Sequence, residues 1–405
     1  MKKNKPIWMR YVAAITALLT MSLNAYAEDI YLTHAAKTEN QVTITDEEDG
    51  VMTVVSQGGD PFFQLTPLPR DLEDNETYII LEYQSDTSLP ELVEFFFSPI
   101  AGGREQHFDN GLAHTEGDEW RVAYMDITNA RKNFDWGAKG DFLRFDLGSK
   151  AATVKFRNIR VTTAPEYDPT ELVQIGTAEE LAAFMDRVNK NLHFGINAEL
   201  TADIDFTAYS KRLQFFSGNF NGAGHTLTVN YNVDGSYASP FEVLSGTVEN
   251  LIVKGTIACT EKYSGGIAGK TSGATIRNCC SFVDILPTIT GDGTHGGFVG
   301  INSSGVTFEN CLFAGAITSE TTTNCAGFIG WCGSKAVLSN CVQVGSVNLQ
   351  ESDLNIWARC PQNATLSNCY YLNPVASSAE AMGTQVTADM VSNGGLCFLL
   401  NGDQT

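Results

Sequence analysis

Trp136 and Phe134, with Tyr124 upstream and Arg131 and Asn133 in the same loop-like stretch, are the side chains of this chain best suited to hold a sugar. Aromatic rings stack on the apolar faces of pyranoses, and planar guanidinium and amide groups beside them hydrogen-bond the hydroxyls. The competing use of Trp136 is core packing, since tryptophan is highly buried on average, and Trp120 at a strand start reads as core. Bond cleavage by a polysaccharide enzyme would need an acidic cluster for a cation with a basic side chain beside it on one face. The later carboxylates, Asp284, Asp292, Glu309, Glu320, Glu351 and Asp353, are scattered, and none is expected to share a column with a base in adjacent units. Asp203 and Asp205 alternate on one strand without a third ligand for a metal. His225 and His295 follow glycine corners and lack the partners of a triad. Gly218 to Gly224 has neither the lysine nor the following helix of a phosphate loop. The residues therefore point to binding, with no catalytic residue, no metal and no cofactor.

What positions such residues is legible as a repeat. Gly265-Gly266-Ile267-Ala268-Gly269, Gly296-Gly297-Phe298-Val299-Gly300 and Ala326-Gly327-Phe328-Ile329-Gly330 are each followed by an apolar strand with Asn-Cys: Asn278-Cys279, Asn310-Cys311 and Asn340-Cys341. Asn368-Cys369 continues the series after a decayed glycine segment, Asn355 to Arg359, and Asn250 precedes it. A fixed period of this size means stacked repeats. The units are rich in Gly and β-branched residues and lack a 3.6-residue apolar stripe, so a right-handed parallel β-helix with one turn per repeat is expected. Asn should occupy a left-handed corner, buried and hydrogen-bonded to its stacked neighbours. Cys279, Cys311, Cys341 and Cys369 should form a ladder of buried thiols, because aligned side chains are awkwardly directed for disulfides. Cys280, Cys325, Cys332, Cys360 and Cys397 fall off that ladder, and a Cys325–Cys332 pairing across one turn stays open. Trp357 reads as packing at the last turn.

Thr177 to Lys190 is the one convincing helix, with Thr177 as N-cap, Glu180 closing a capping box, and an apolar stripe of Leu181, Phe184, Met185 and Val188. It suits the terminal cap that a solenoid requires. Upstream, alternating runs at Val42–Thr45, Val51–Val55, Tyr78–Tyr83, Leu92–Phe97, Trp120–Tyr124, Phe142–Leu147 and Val154–Val161 predict an antiparallel β-sandwich over 28–163. A polar stretch with Pro165 and Pro169 gives a linker over 164–171, the β-helix covers 172–375, and 376–405 forms a C-terminal extension. The fold class is all-β.

Lys2, Lys3, Lys5 and Arg10 precede an apolar run, and Ala25-Tyr26-Ala27 offers a cleavage site, so residues 1–27 are expected to be a signal peptide and the mature chain extracellular or at the cell surface. A net charge of −21 argues against nucleic acid and anionic membranes as partners. Neither is membrane insertion expected after cleavage.

The Gly-Gly-Phe-Val-Gly and apolar-x-Asn-Cys pattern resembles the GLUG repeat of large secreted and surface bacterial proteins, and Phe220-Asn221-Gly222-Ala223-Gly224-His225-Thr226 is similar to the strand that introduces such solenoids, with Asn221 in place of the customary Asp. Leu396 to Gln404 resembles the opening of a further unit in surface proteins of gut Bacteroidetes, which implies a unit cut short. More weakly, Asp118-Glu119-Trp120, Asp126-Ile127-Thr128, Asp135-Trp136, Asp141 to Phe145 and Arg157 to Val161 resemble the last strands of galactose-binding-like carbohydrate-binding modules. These resemblances imply scaffold and adhesion roles with glycan or a host or cell-surface protein as partner. The alternatives are a β-helical polysaccharide lyase or hydrolase and a structural spacer.

Overall fold

The computed structural model describes residues 29–47, 50–87, 93–109, 112, 114–115, 120–348, 357–372 and 382–401. The signal-peptide residues 1–27, Glu28, Leu92, Asp118, Glu119, Glu351, Asp353, Asn355 and Ile356 lie outside them. The chain divides into two units, one of Met1–Tyr83, Glu91–Asp109 and Ala123–Ala164, the other of Gln84–Pro90, Asn110–Val122 and Pro165–Thr405. No helix among the described residues is long and apolar enough to cross a membrane.

The first unit is built on antiparallel strands. One sheet runs in the order Val42–Asp46, Met52–Gln57, Ala151–Thr162, Tyr78–Ser85, Arg121–Asp126, with Ile30–Tyr31 also on Ala151–Thr162; Gln84, Ser85, Arg121 and Val122, at the ends of their strands, count with the second unit. The other runs Phe62–Gln64, Leu143–Asp146, Glu94–Phe97, Glu105–His107. Successive strand residues point to opposite faces, so Phe63, Phe95 and Phe145 turn inward and are fully buried. The Phe145 ring centroid lies 5.3 Å from Phe63, 4.6 Å from Phe95 and 5.0 Å from Phe156. The strands at 30–31, 62–64 and 105–107 are too short to be read as periodic. The stretch around Arg131 is a helix, Thr128–Phe134, rather than a loop; its N-terminus has no side-chain cap, and it ends on Asp135 in the left-handed region.

The second unit is a parallel β-solenoid of about seven turns. Eight strands from Leu172–Ile175 to Ala364–Ser367 form one parallel sheet, and Val248, Ile276, Phe308 and Leu338 follow one another in register inside it. The helix Ala178–Asn191 buries Leu181, Phe184, Met185 and Val188 in the solenoid core. Thr177 Oγ1 accepts from Glu180 N, while the Glu180 carboxylate accepts from Gly176 N, one residue before the expected partner.

Asn250, Asn278, Asn310, Asn340 and Asn368 all take left-handed φ, between 52° and 55°. Their amides form one chain: each Nδ2 donates to the Oδ1 of the previous turn, from Asn368 down to Asn221, at 2.7–3.0 Å. The column is aligned as expected but is not buried; Asn278, Asn310, Asn340 and Asn368 are exposed. Water therefore competes for these amides, and the residue is needed chiefly for its backbone. Asn310→Ala should cost about 1–2 kcal/mol, because alanine keeps the Cβ but lacks the short polar side chain that makes the left-handed region tolerable to asparagine, whereas Asn310→Gly should cost less than half as much in chemical denaturation. Equal losses would assign the stability to the amide chain instead.

All four ladder cysteines are buried, as are Cys325 and Cys332, and every cysteine stands as a free thiol. Burial pushes the Cys279 thiol up to about 12, which keeps it protonated and unreactive at neutral pH. Trp357 is buried against Phe328 at 5.0 Å, and its Nε1 donates to Met382 O. Gln343 is a misfit: fully buried between Phe313 and Tyr371 in register, its amide oxygen and nitrogen lack partners among the described residues. An unmet buried amide costs about 1–3 kcal/mol, so Gln343→Leu should raise the melting temperature; a lower one would show that the amide is satisfied in solution.

Candidate functional site

The five residues singled out in sequence are not brought together as one platform. Trp136 is 3 % exposed, set edge-on to Phe97 at 5.2 Å, with Nε1 donating to Phe142 O at 3.2 Å. Phe134 is half-buried between Phe97 and the Arg104 guanidinium. Tyr124 is buried, and burial, reinforced by Asp109, pushes its hydroxyl well above the usual range. Arg131 Nη1 donates to the carbonyls of Glu73, Asp74 and Glu76, which ties down the neighbouring loop. Asn133 is exposed on the helix. Arg131 and Trp136 do share a cleft of about 560 Å³ with Asp74, Thr77, Asp135 and Gly137. Its only ring is the buried Trp136, so it offers no broad aromatic face.

The outward face of the four-stranded sheet is a better-equipped surface. Alternation sends Phe62, Gln64, Arg144, Asp146, Glu94, Phe96, Glu105 and His107 to the side opposite the Phe63–Phe95–Phe145 core. Register makes two rows: Phe62, Asp146, Glu94 and His107 in one, Gln64, Arg144, Phe96 and Glu105 in the other. The Arg144 guanidinium lies 4.3 Å from the Phe62 ring centroid and 4.5 Å from that of Phe96. Its Nε and Nη2 donate to the two oxygens of Asp146, at 2.8 and 2.6 Å, which fixes the fork. Burial pushes the Asp146 carboxyl up despite Arg144, and the same cause raises Glu94 despite His107. Glu105 Oε2 is buried and has no hydrogen-bond partner among the described residues. The face thus combines two aromatic rings, a locked planar donor and several acceptors. The sequence signal was the paired pattern Leu143-Arg144-Phe145-Asp146, charged side chains at every second position of a strand.

On the solenoid, one expectation is corrected. Glu249, Arg277 and Glu309 do fall in one column of adjacent turns, each directly before its corner asparagine, Asn250, Asn278 or Asn310. Arg277 Nε donates to Glu249 Oε2 at 2.6 Å. Burial works to raise Glu249, but the hydrogen bonds of Asn219 and Arg277 carry it below the usual range. Asp292 accepts from Lys262 at 2.9 Å and from Arg359 at 3.1 Å. An arginine closed on a carboxylate stays cationic and cannot take a proton. His295 is fully buried, accepts from Ser264 N at Nδ1, and is driven by burial to a pKa of about 3, so its ring is neutral. No group of three or more His, Cys, Asp or Glu among the described residues is placed to hold a metal.

No protein-family model and no curated protein matches the sequence. Among solved structures, the chain is similar to a Bacteroides ovatus protein whose proposed assignment is immunoglobulin A1 protease, at 16% identity over 57% of this chain and 88% of that one, TM-score 0.43. It is also similar to the mannan-recognising carbohydrate-binding module TmCBM27, at 14% identity over 35% and 98%, TM-score 0.19. A third is the catalytic unit of a GH87 α-1,3-glucanase from Streptomyces thermodiastaticus, at 11% identity over 90% and 96%, TM-score 0.23. Likeness at these scores carries no argument about the activity of this chain.

Proposed function

We propose that the chain is an exported, non-catalytic glycan-binding protein of the cell surface or its surroundings, with a GLUG-like solenoid of the Bacteroidetes surface-protein type as scaffold. The observation that carries this reading is the outward face of the four-stranded sheet, where Phe62, Arg144 and Phe96 are stacked and ringed by Glu94, Glu105, Gln64 and His107. Sugars are recognised by this combination of apolar ring surface and rigid planar hydrogen-bonding groups. An open face suits an internal stretch of a neutral polysaccharide, which leaves the acceptors Glu94 and Glu105 to meet hydroxyls.

The full-length mature chain should be retarded in native gels that contain its polysaccharide. Phe96→Ala should weaken the interaction about fivefold, the equivalent of one aromatic contact of ~1 kcal/mol, while leaving the melting temperature nearly unchanged. Retardation by no polysaccharide, or retardation indifferent to Phe96→Ala, contradicts the reading. Release of reducing ends by the intact chain would favour a polysaccharide lyase or hydrolase instead.

A further inference from the structure

The first unit holds a second cavity, of about 450 Å³, lined by Tyr31, His34, Asp46, Glu47, Arg157 and Asn158 among others. Ile30–Tyr31 is a two-residue strand against Val161 and Arg160, and it leaves the Tyr31 side chain 60 % exposed at the rim. Tyr31 is thus the most exposed aromatic residue described in this unit.

The charges around it are unevenly matched. Arg157 is closed on Glu82, whose other oxygen accepts from Asn158. His34 faces Glu39 at 2.9 Å and Asp46 at 3.5 Å, yet the Asp46 side chain stays 67 % exposed. The Glu47 carboxylate accepts the Thr53 hydroxyl. The Arg157 guanidinium is met by Glu82 and the His34 ring by Glu39 and Asp46, so the exposed carboxylates of Asp46 and Glu47 leave negative charge at a cleft that the open Tyr31 ring also lines. An anionic sugar would meet repulsion there. A ring face beside a carboxylate suits a cation, held by cation–π attraction and an ion pair together.

We propose that this cleft binds an amino-sugar unit with a free ammonium group, the ammonium between Tyr31 and Asp46 and the sugar hydroxyls toward His34 and Asn158. The assignment rests on the glycan reading for its saccharide part and specifies a different place and a different ligand class. The volume of the cleft suits one or two sugar units.

The test is calorimetry of the full-length mature chain at neutral pH and physiological salt with the trimer of glucosamine and, separately, the trimer of N-acetylglucosamine. The glucosamine trimer should bind at least tenfold more tightly. Tyr31→Ala and Asp46→Asn should each reduce its affinity fivefold or more. Equal affinity for the two trimers, no binding of the glucosamine trimer, or binding that survives both Tyr31→Ala and Asp46→Asn overturns the proposal. If Phe96→Ala abolishes amino-sugar binding and Tyr31→Ala does not, the cleft is wrong and the sheet-face reading stands. Equal binding of lysine methyl ester would overturn the assignment to a sugar.

Discussion

Glu242→Ala is expected to destabilise the second unit by about 3–5 kcal/mol, the cost of leaving buried charge without its partner. Glu242 is 7 % exposed, and both its oxygens are taken: Oε1 accepts from Arg212 Nε at 3.0 Å and Arg121 Nη1 at 3.1 Å, and Oε2 from Arg121 Nη2. Arg121 and Arg212 are themselves 6 % and 8 % exposed, so truncating the carboxylate strands two guanidiniums away from water. Burial alone would raise the Glu242 carboxyl, but the two guanidiniums outweigh it and carry it below the usual range. A depressed folded pKa stabilises above the unfolded value of ~4.3 and loses that stability as pH falls through the folded one. Acid should therefore weaken this cluster only below about pH 4, and Glu242→Gln should flatten that limb of the stability profile. The melting midpoint of Glu242→Ala should fall by about 10 °C; a fall of 2 °C or less would mean that the arginines find other partners or water.

Gly300→Ala should be comparably damaging. A Cβ at Gly300 would fall on the carbonyl of Tyr263, and its equivalents Gly269 and Gly330 are pressed in the same way by Tyr237 and by the Thr294 carbonyl. Those opposing residues are left-handed, with φ of 63° at Tyr237, 71° at Tyr263 and 54° at Thr294. Backbone meets backbone along the whole column, so no side chain can swing aside to admit a methyl. Overpacking usually costs about 1–3 kcal/mol, and here the upper end or more is expected, since one rung cannot shift without its neighbours. Gly273→Ala is the informative comparison: its φ is positive, as that of Gly300 is not, but nothing lies within 4 Å of its Cβ position. If denaturation ranks Gly273→Ala as the costlier change, the close approach at Gly300 costs less than left-handed strain, which contradicts the crowding argued for the column.

The solenoid was legible because its period repeats one physical demand. A glycine is needed where two backbones touch, an asparagine where φ turns positive, and an apolar residue where the chain re-enters the core; each left its mark at Gly300, Asn310 and Cys311. Burial at the corner was not legible. Asn310 lies at a turn whose exposure depends on how far the adjoining loops fold over it, and the repeat contains no information on that. The Glu249–Arg277–Glu309 column lies one residue before the corner asparagines Asn250, Asn278 and Asn310, so its register was legible, but the change of residue type from turn to turn kept it from showing as a repeat. In the sandwich, strands such as Phe62–Gln64 and Glu105–His107 are too short for a two-residue period to show. Trp136 was ambiguous between platform and core until Phe97 and Phe142 were placed beside it, and those contacts are long-range.

The most direct measurement is a crystal structure of the full-length chain soaked with the oligosaccharide it binds most tightly among neutral glycans. Sugar should lie across the four-stranded sheet, with ring carbons against the edges of Phe62 and Phe96 and hydroxyls within hydrogen-bond distance of Arg144, Glu94 or Glu105. A glycan seated instead along the Glu249–Arg277–Glu309 column of the solenoid, with the sheet face empty, would contradict the account.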